Sequence, residues 1–194
     1  IGSLAWGTPL NTAIAEIDSS QTTNPRDHDM IQWQFDLASN MVATTLTSGT
    51  VNMSKLWIRQ PVTVTNVCLA IGTVGAALVA AQNFAGLYDA GGSRLGVTAD
   101  QTANWGTVGF KQMALTAPVV IAAPGAYYVA VVSNAGTTPA FARGSALTPS
   151  IANANLTATN GRFTTGPAAQ TSLPISITMA SRTLTGNALW AGIS

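Results

Sequence analysis

Short stretches in which apolar and polar residues alternate place the strongest constraint on how this chain can fold. In the first, from Ile31 to Leu37, every second residue is apolar and the residues between are glutamine and aspartate. A period of two is typical of a β-strand that buries one face. The sequence predicts further strands over residues 51–58, 62–71, 83–89, 94–98, 110–115, 119–122, 126–133, 139–143 and 175–179.

Three of these segments carry additional information. The apolar phase slips near Asn66, as expected where a β-bulge inserts an extra residue. The run DAGGS from Asp89 to Ser93 predicts a hairpin turn between the strands on either side. Residues 126–133 are apolar on both faces, so we expect this strand to lie in the middle of a sheet.

About ten short strands separated by turn residues are typical of a sandwich or barrel. We therefore predict an all-β fold, specifically a jelly-roll-like β-sandwich preceded by a short helix. Residues 144–172, rich in Ala, Thr, Asn, Ser and Gly, break the strand pattern. Because structureless loops of that length are uncommon in compact domains, the stretch predicts either a functional loop or an irregular edge strand near Arg162 and Phe163.

The chain divides into a lead-in, residues 1–29, and a sandwich domain, residues 30–194. In the lead-in, Leu10, Ile14 and Ile17 recur at helical spacing and form a narrow apolar stripe, closer to a coiled-coil seam than to a broad core face. So short a helix is marginal alone in water. It must therefore pack either on its own sandwich or, as an oligomer seam, on copies of itself.

Charged residues make up 8% of the chain, against roughly 25% in an ordinary soluble domain. A monomer with so little surface charge is poorly dispersed, so we expect much of the surface to be covered in an oligomer or a larger particle. The basic residues are scattered, which argues against nucleic acid as a partner. No apolar stretch reaches the length of a membrane helix, so no membrane insertion is expected.

The residues that catalysis requires are scarce. His28 is the only histidine and lies in a polar linker, and a single cysteine provides no ligand cluster, so we expect no metal site and no cofactor. After residue 37, Asp89 and Asp100 are the only acids that could form a glycosidase pair. Asp89 is explained by its turn. The chain is therefore predicted not to be an enzyme.

One loop has the composition of a sugar-binding site. Trp105 is preceded by Asn104 and, further back, by Asp100. An aromatic face can stack on the apolar face of a sugar while amide and carboxylate groups bind its hydroxyls. These three residues are the first glycan-binding candidates. The alternative is that Trp105 folds back and caps one end of the sandwich.

Arg143 and Arg162 flank the long loop and are the second set of glycan-binding candidates, because they could meet acidic polymers of a cell envelope. The alternative is that both are solvated loop arginines. Tyr88 and Trp57 lie within predicted strands, and we expect them in the core or an interface.

The chain contains the runs NFAGLYDAGGSRLGVTADQTANWGTVGFKQMAL, PGAYYVAVVSNAGTTPAFARG, TSLPISIT, the terminal LWAGIS, and WGTPLNTAIAEID in the lead-in. Together these runs resemble minor tail and tail-fibre proteins of phages that infect actinobacteria. The resemblance covers most of the chain but rests on packing and turn motifs. It implies a virion protein, hence an extracellular particle, with a trimeric, jelly-roll-like tip that faces the host envelope beside other virion proteins.

Three functions follow as hypotheses. The leading one is a tail-fibre or minor tail domain that engages the host surface, with glycans as candidate ligands. The alternative is a head-fibre or capsid decoration protein with a structural role alone. A carbohydrate-active enzyme domain is the least favoured.

Overall fold

The structure is a computed structural model that describes residues 24–39 and 42–194. The predicted helical lead-in and its seam residues Leu10, Ile14 and Ile17 lie outside the described residues. Within them the chain forms short antiparallel strands joined by turns. The predicted all-β class is therefore confirmed.

The strands are β1 (Gln32–Trp33), β2 (Val42–Thr45), β3 (Asn52–Ile58), β4 (Val62–Thr73), β5 (Ala76–Leu78), β6 (Phe84–Tyr88), β7 (Arg94–Val97), β8 (Gly109–Ile121), β9 (Gly125–Val132), β10 (Ala135–Thr137), β11 (Ala140–Arg143), β12 (Phe163–Thr165), β13 (Thr183–Leu184) and β14 (Gly192–Ile193). A one-turn helix α1 (Pro149–Ala152) and 3-10 turns at Pro25–His28, Asn104–Gly106, Ala158–Asn160 and Met179–Ser181 complete the described elements. No helix in this part of the chain is long and apolar enough to cross a membrane.

Two six-stranded sheets carry the fold. Sheet A runs β1-β14-β4-β11-β2, with β8 paired to β4, and sheet B runs β13-β12-β3-β9-β6-β7. Strands β5 and β10 form a separate two-stranded ribbon. The main core lies between the sheets and takes alternate residues from both, such as Val67 and Leu69 of β4 and Leu56 and Val129 of sheet B.

Both sheets are also covered on their outer faces. Over sheet B, the excursion, which we define as residues 144–182, packs Leu173, Ile177 and Met179 on Met53 and its neighbours. Over sheet A, residues 24–39 pack on Cys68 and Trp190. The long loop expected over residues 144–172 contains α1, the 3-10 turn Ala158–Asn160 and β12, and β12 lies inside sheet B between β3 and β13 rather than at an edge.

Local sequence patterns predicted several of these elements. The register between β4 and β8 shifts between Val64 and Asn66, which confirms the bulge. Strands β6 and β7 pair across the Asp89–Ser93 turn, as predicted. Strand β9 pairs with β3 on one side and β6 on the other, which confirms the central strand of residues 126–133.

Four predicted segments were wrong in extent or type. The strand over residues 31–37 shrinks to β1 because the chain turns at Asp36, whose carboxylate accepts a hydrogen bond from the Ala38 N–H at 2.9 Å. The two strands over residues 110–122 are one continuous strand, β8.

The predicted strand over residues 175–179 is a covering loop. Its backbone bonds to the hairpin turn, with the Ile177 N–H donating to the Gly92 carbonyl at 2.8 Å. Gly92 has φ +91°, and a Cβ there would collide with the Ile177 carbonyl oxygen, so only glycine permits this docking. Of the alternating apolar residues, Ile177 and Met179 are buried on sheet B whereas Ile175 is exposed, and Ser176 forms only an isolated antiparallel bridge with Ser93.

The ionisation of Cys68 can be used to test how tightly the outer face of sheet A is packed. The side chain is fully buried, and burial raises the pKa of its thiol to about 11, which a contact with the Ser194 hydroxyl at 3.9 Å only partly opposes. The unfolded thiol ionises near its ordinary value of 9.0. Between these two pKa values the thiol ionises in the unfolded chain but not in the folded one. The free energy of unfolding therefore falls as the pH rises, by at most about 1.4 kcal/mol per pH unit.

We therefore expect the free energy of unfolding, measured by urea titration from pH 8 to 11, to fall more steeply in the wild type than in Cys68→Ala. Equal slopes in the two proteins would show that the thiol is not buried as described. Tyrosine and lysine titration contributes equally to both and cancels in the comparison.

Candidate functional site

The predicted aromatic platform at Trp105 is corrected by the structure. Its side chain is 0% exposed, with the indole edge-on to Phe141 at 5.2 Å between ring centroids and its Nε1–H directed at the Met113 sulfur at 3.3 Å. The 3-10 turn Asn104–Gly106 directs this ring into the core. A buried indole offers no face to a sugar, and Trp105 belongs to the main core between the sheets.

Its two predicted partners are engaged within their own loop. The Asn104 amide donates to the Gln101 side chain at 2.9 Å, and the Asp100 carboxylate accepts from the Asn83 N–H at 3.1 Å. Burial alone would raise the pKa of Asp100, but hydrogen bonds from the Thr102 hydroxyl and from nearby backbone N–H groups outweigh it and hold the pKa below its ordinary value. These groups organise a loop.

Asn83, which the sequence did not single out, is the centre of that loop. It is fully buried, donates to the Val79 carbonyl at 2.7 Å and accepts from the Ser133 hydroxyl at 2.9 Å. Polar groups at such depth require hydrogen-bond partners. Asp100 therefore belongs to a structural network in which Asn83 joins three chain segments.

The aromatic side chain that the structure exposes beside polar groups is Trp57. It is 51% exposed, although we expected it in the core or an interface. Leu56 and Ile58 on either side of it point into the main core, so Trp57 must point to the outer face of sheet B. The excursion covers Met53 on that face but stops short of Trp57.

The backbone holds Trp57 rigidly. It pairs with Ala126 of β9, and its carbonyl accepts a hydrogen bond from the Gln32 side chain at 2.9 Å. The Gln34 side chain reaches the Lys55 carbonyl in the same way, at 3.4 Å. Ala126 is small and does not cover the indole, and strand β3 is held in place by these bonds. One face of the Trp57 ring is therefore available to a ligand.

Lys55 lies beside Trp57 on β3, and the charges of two arginines, Arg182 and Arg162, act on it; Arg162 is the one predicted site residue among these cations. Lys55 precedes Trp57 by two residues on the same face, and its N–H bonds to the Arg162 carbonyl at 2.8 Å. Burial is the main cause that lowers the pKa of Lys55, and the charges of Arg182 and Arg162 lower it further. We call Trp57, Lys55 and Arg162 the Trp57 surface.

Arg182 lies beneath this surface and is 4% exposed. Its guanidinium stacks over the Tyr128 ring at 4.5 Å and donates to the Ala158 and Thr159 carbonyls at 2.7 and 2.8 Å. Its Nη1 also donates to the Thr164 hydroxyl at 3.1 Å. Neutral oxygen atoms satisfy its donors, while its positive charge is not cancelled.

Arg162 also borders a shallow groove of about 240 Å³. Phe35, Ala152, Phe163 and Ala188 line its apolar floor. The Arg162 guanidinium lies 5.2 Å from the Phe163 ring centroid, and the Arg162 backbone carbonyl accepts the hydrogen bond from the Lys55 N–H. The predicted residue thus lies where two surface features meet.

Arg143 is not part of the Trp57 surface. It lies in sheet A, where its backbone pairs with Val42 and Leu189. Its Nε and Nη1 atoms are buried without a hydrogen-bond partner. Arg143 thus lies in sheet A, whereas Lys55 and Trp57 lie in sheet B.

Other chemistry-bearing residues have local roles. The Asp89 carboxylate accepts from the Ser93 N–H at 2.9 Å and closes its turn, and the exposed His28 ring lies 5.1 Å from that of Trp33. Among residues 24–39 and 42–194, no cluster of three or more His, Cys, Asp or Glu has the geometry of a metal site. Comparison of the chain with family models, curated proteins and solved structures gives no match.

The opposite placements of the two tryptophans can be measured. We expect Trp105→Ala to cost about 3–5 kcal/mol of unfolding free energy, because it empties a filled core position, and Trp57→Ala to cost much less. Acrylamide should quench the fluorescence of the exposed Trp57 far more than that of the buried Trp105. The fraction of fluorescence that acrylamide quenches should therefore fall in Trp57→Phe and should not fall in Trp105→Phe. Equal quenching in these two variants would contradict the assignment.

Proposed function

We propose that this chain is a non-catalytic binding domain of a phage virion, from a tail fibre or minor tail protein, and that it engages host-surface glycans through Trp57. The observation that carries the proposal is an indole half exposed on an anchored strand. Aromatic faces of this kind bind the apolar faces of sugars, and neighbouring polar groups bind the hydroxyls.

The low charge and the sequence resemblance support the virion setting. A domain with 8% charged residues is suited to a particle in which neighbouring chains cover its surface. The chain assembles as a homotrimer with other virion proteins, in an extracellular particle. Its two packed antiparallel sheets are compatible with the finer jelly-roll architecture.

A head-fibre or capsid decoration protein is the second candidate. Val120, Ile151 and Ile175 are 74%, 63% and 77% exposed, and they lie in β8, α1 and the covering loop. Apolar side chains exposed at several separate places favour coverage by neighbouring virion proteins. On this hypothesis the domain binds no host ligand of its own.

Cell binding separates the two functions. We expect the fluorescently labelled protein to bind actinobacterial host cells, and Trp57→Ala to weaken binding about tenfold, the equivalent of one lost stacking contact. Phe110→Ala is the matched control, because Phe110 is 49% exposed on sheet A. Equal binding by both variants would exclude the Trp57 surface, and a protein that decorates capsids yet ignores cells would support the structural role.

A further inference from the structure

We propose that the Trp57 surface is selective for anionic saccharides, in which a sugar ring stacks on Trp57 while its carboxylate or phosphate group binds Lys55 and Arg162. This inference rests on the proposed function and adds the ligand class. It follows from the charges and unused hydrogen-bond donors around the indole.

The first observation is that no described carboxylate neutralises these cations. The two charges that act on Lys55 are both positive, those of Arg182 and Arg162. Like charges held together in a partly buried position repel one another. An anion bound among them removes that repulsion, whereas a neutral sugar does not.

The second observation concerns donors. Lys55 Nζ donates to the Asn160 carbonyl at 3.2 Å, and an ammonium group has three N–H donors, so two remain for a ligand. Within the described residues the guanidinium of Arg162, which is exposed, contacts the Phe163 ring but donates to no protein oxygen. A guanidinium fork matches the geometry of carboxylate and phosphate.

The third observation is that the fold fixes the spacing. Lys55 and Trp57 are alternate residues of β3, so their Cα atoms lie roughly 7 Å apart on one face. That is about the width of a sugar ring and its acidic substituent. Arg162 is held opposite Lys55 by the backbone bond between them. The aromatic face, Lys55 and the backbone of Arg162 are thus positioned before any ligand arrives.

Arg182 supplies charge without contact. Its donors are already occupied by the Ala158, Thr159 and Met179 carbonyls and the Thr164 hydroxyl. It therefore raises the positive potential under Lys55 but is not expected to touch the ligand. Lys55 and Arg162, which keep free donors, are the residues to test.

The test is a calorimetric titration of the full chain with a glucuronate oligosaccharide and with its neutral glucose counterpart at about 50 mM salt. We expect the acidic probe to bind at least tenfold more tightly. Lys55→Gln and Arg162→Gln should each reduce that preference about fivefold or more, and Arg26→Gln, an exposed arginine in the turn at Pro25–His28, should leave it unchanged.

Equal affinity for both saccharides, abolished by Trp57→Ala, would overturn the anionic preference and leave the proposed function standing. If the Trp57, Lys55 and Arg162 variants all bind host cells as well as the wild type does, both the anionic preference and the proposed function of the Trp57 surface are overturned. Competition by inorganic phosphate alone would support a phosphate-bearing sugar, and competition by free glucuronate alone a carboxylate-bearing one.

Discussion

A buried guanidinium without a carboxylate partner is the interaction on which the outer part of this structure depends. Desolvating a charge costs several kcal/mol unless hydrogen bonds compensate it. Arg182 meets that requirement with carbonyl oxygens from the 158–160 turn and from Met179, and with the ring of Tyr128. Arg182 and these acceptors belong to the excursion and the ring belongs to sheet B, so the stacking on Tyr128 helps to hold the excursion on the sheet, together with the apolar packing of Leu173, Ile177 and Met179.

This fixation decides which side chains on the outer face of sheet B remain accessible. Strand β3 directs Met53, Lys55 and Trp57 to the same face, yet their burial decreases along the strand, from full through partial to half exposed. The gradient follows the edge of the covering layer, not the chemistry of the residues. The candidate site is thus created by a boundary between two parts of one chain that are distant in sequence.

That origin explains what could be predicted from the sequence. The bulge near Asn66, the Asp89–Ser93 hairpin and the central strand β9 depend on neighbouring residues, and local patterns predicted them. Alternation also predicted that Trp57 lies in a strand. It could not show where a distant segment stops covering that strand, and it left open whether Trp105 faces a ligand or folds back. The structure buries Trp105 through the 3-10 turn at Asn104 and leaves Trp57 half exposed.

Solvation of Arg182 by neutral oxygens has a consequence for the surface above it. Had an acidic residue paired with Arg182, its negative charge would also have offset Lys55 and Arg162, and the Trp57 surface would be electrically neutral. Carbonyl dipoles satisfy donors but leave the net charge in place. In a chain with so few charges, three cations that share no described acid therefore concentrate positive potential at one place. The same interaction that helps to hold the covering layer in position thus leaves the exposed indole beside an unneutralised charge.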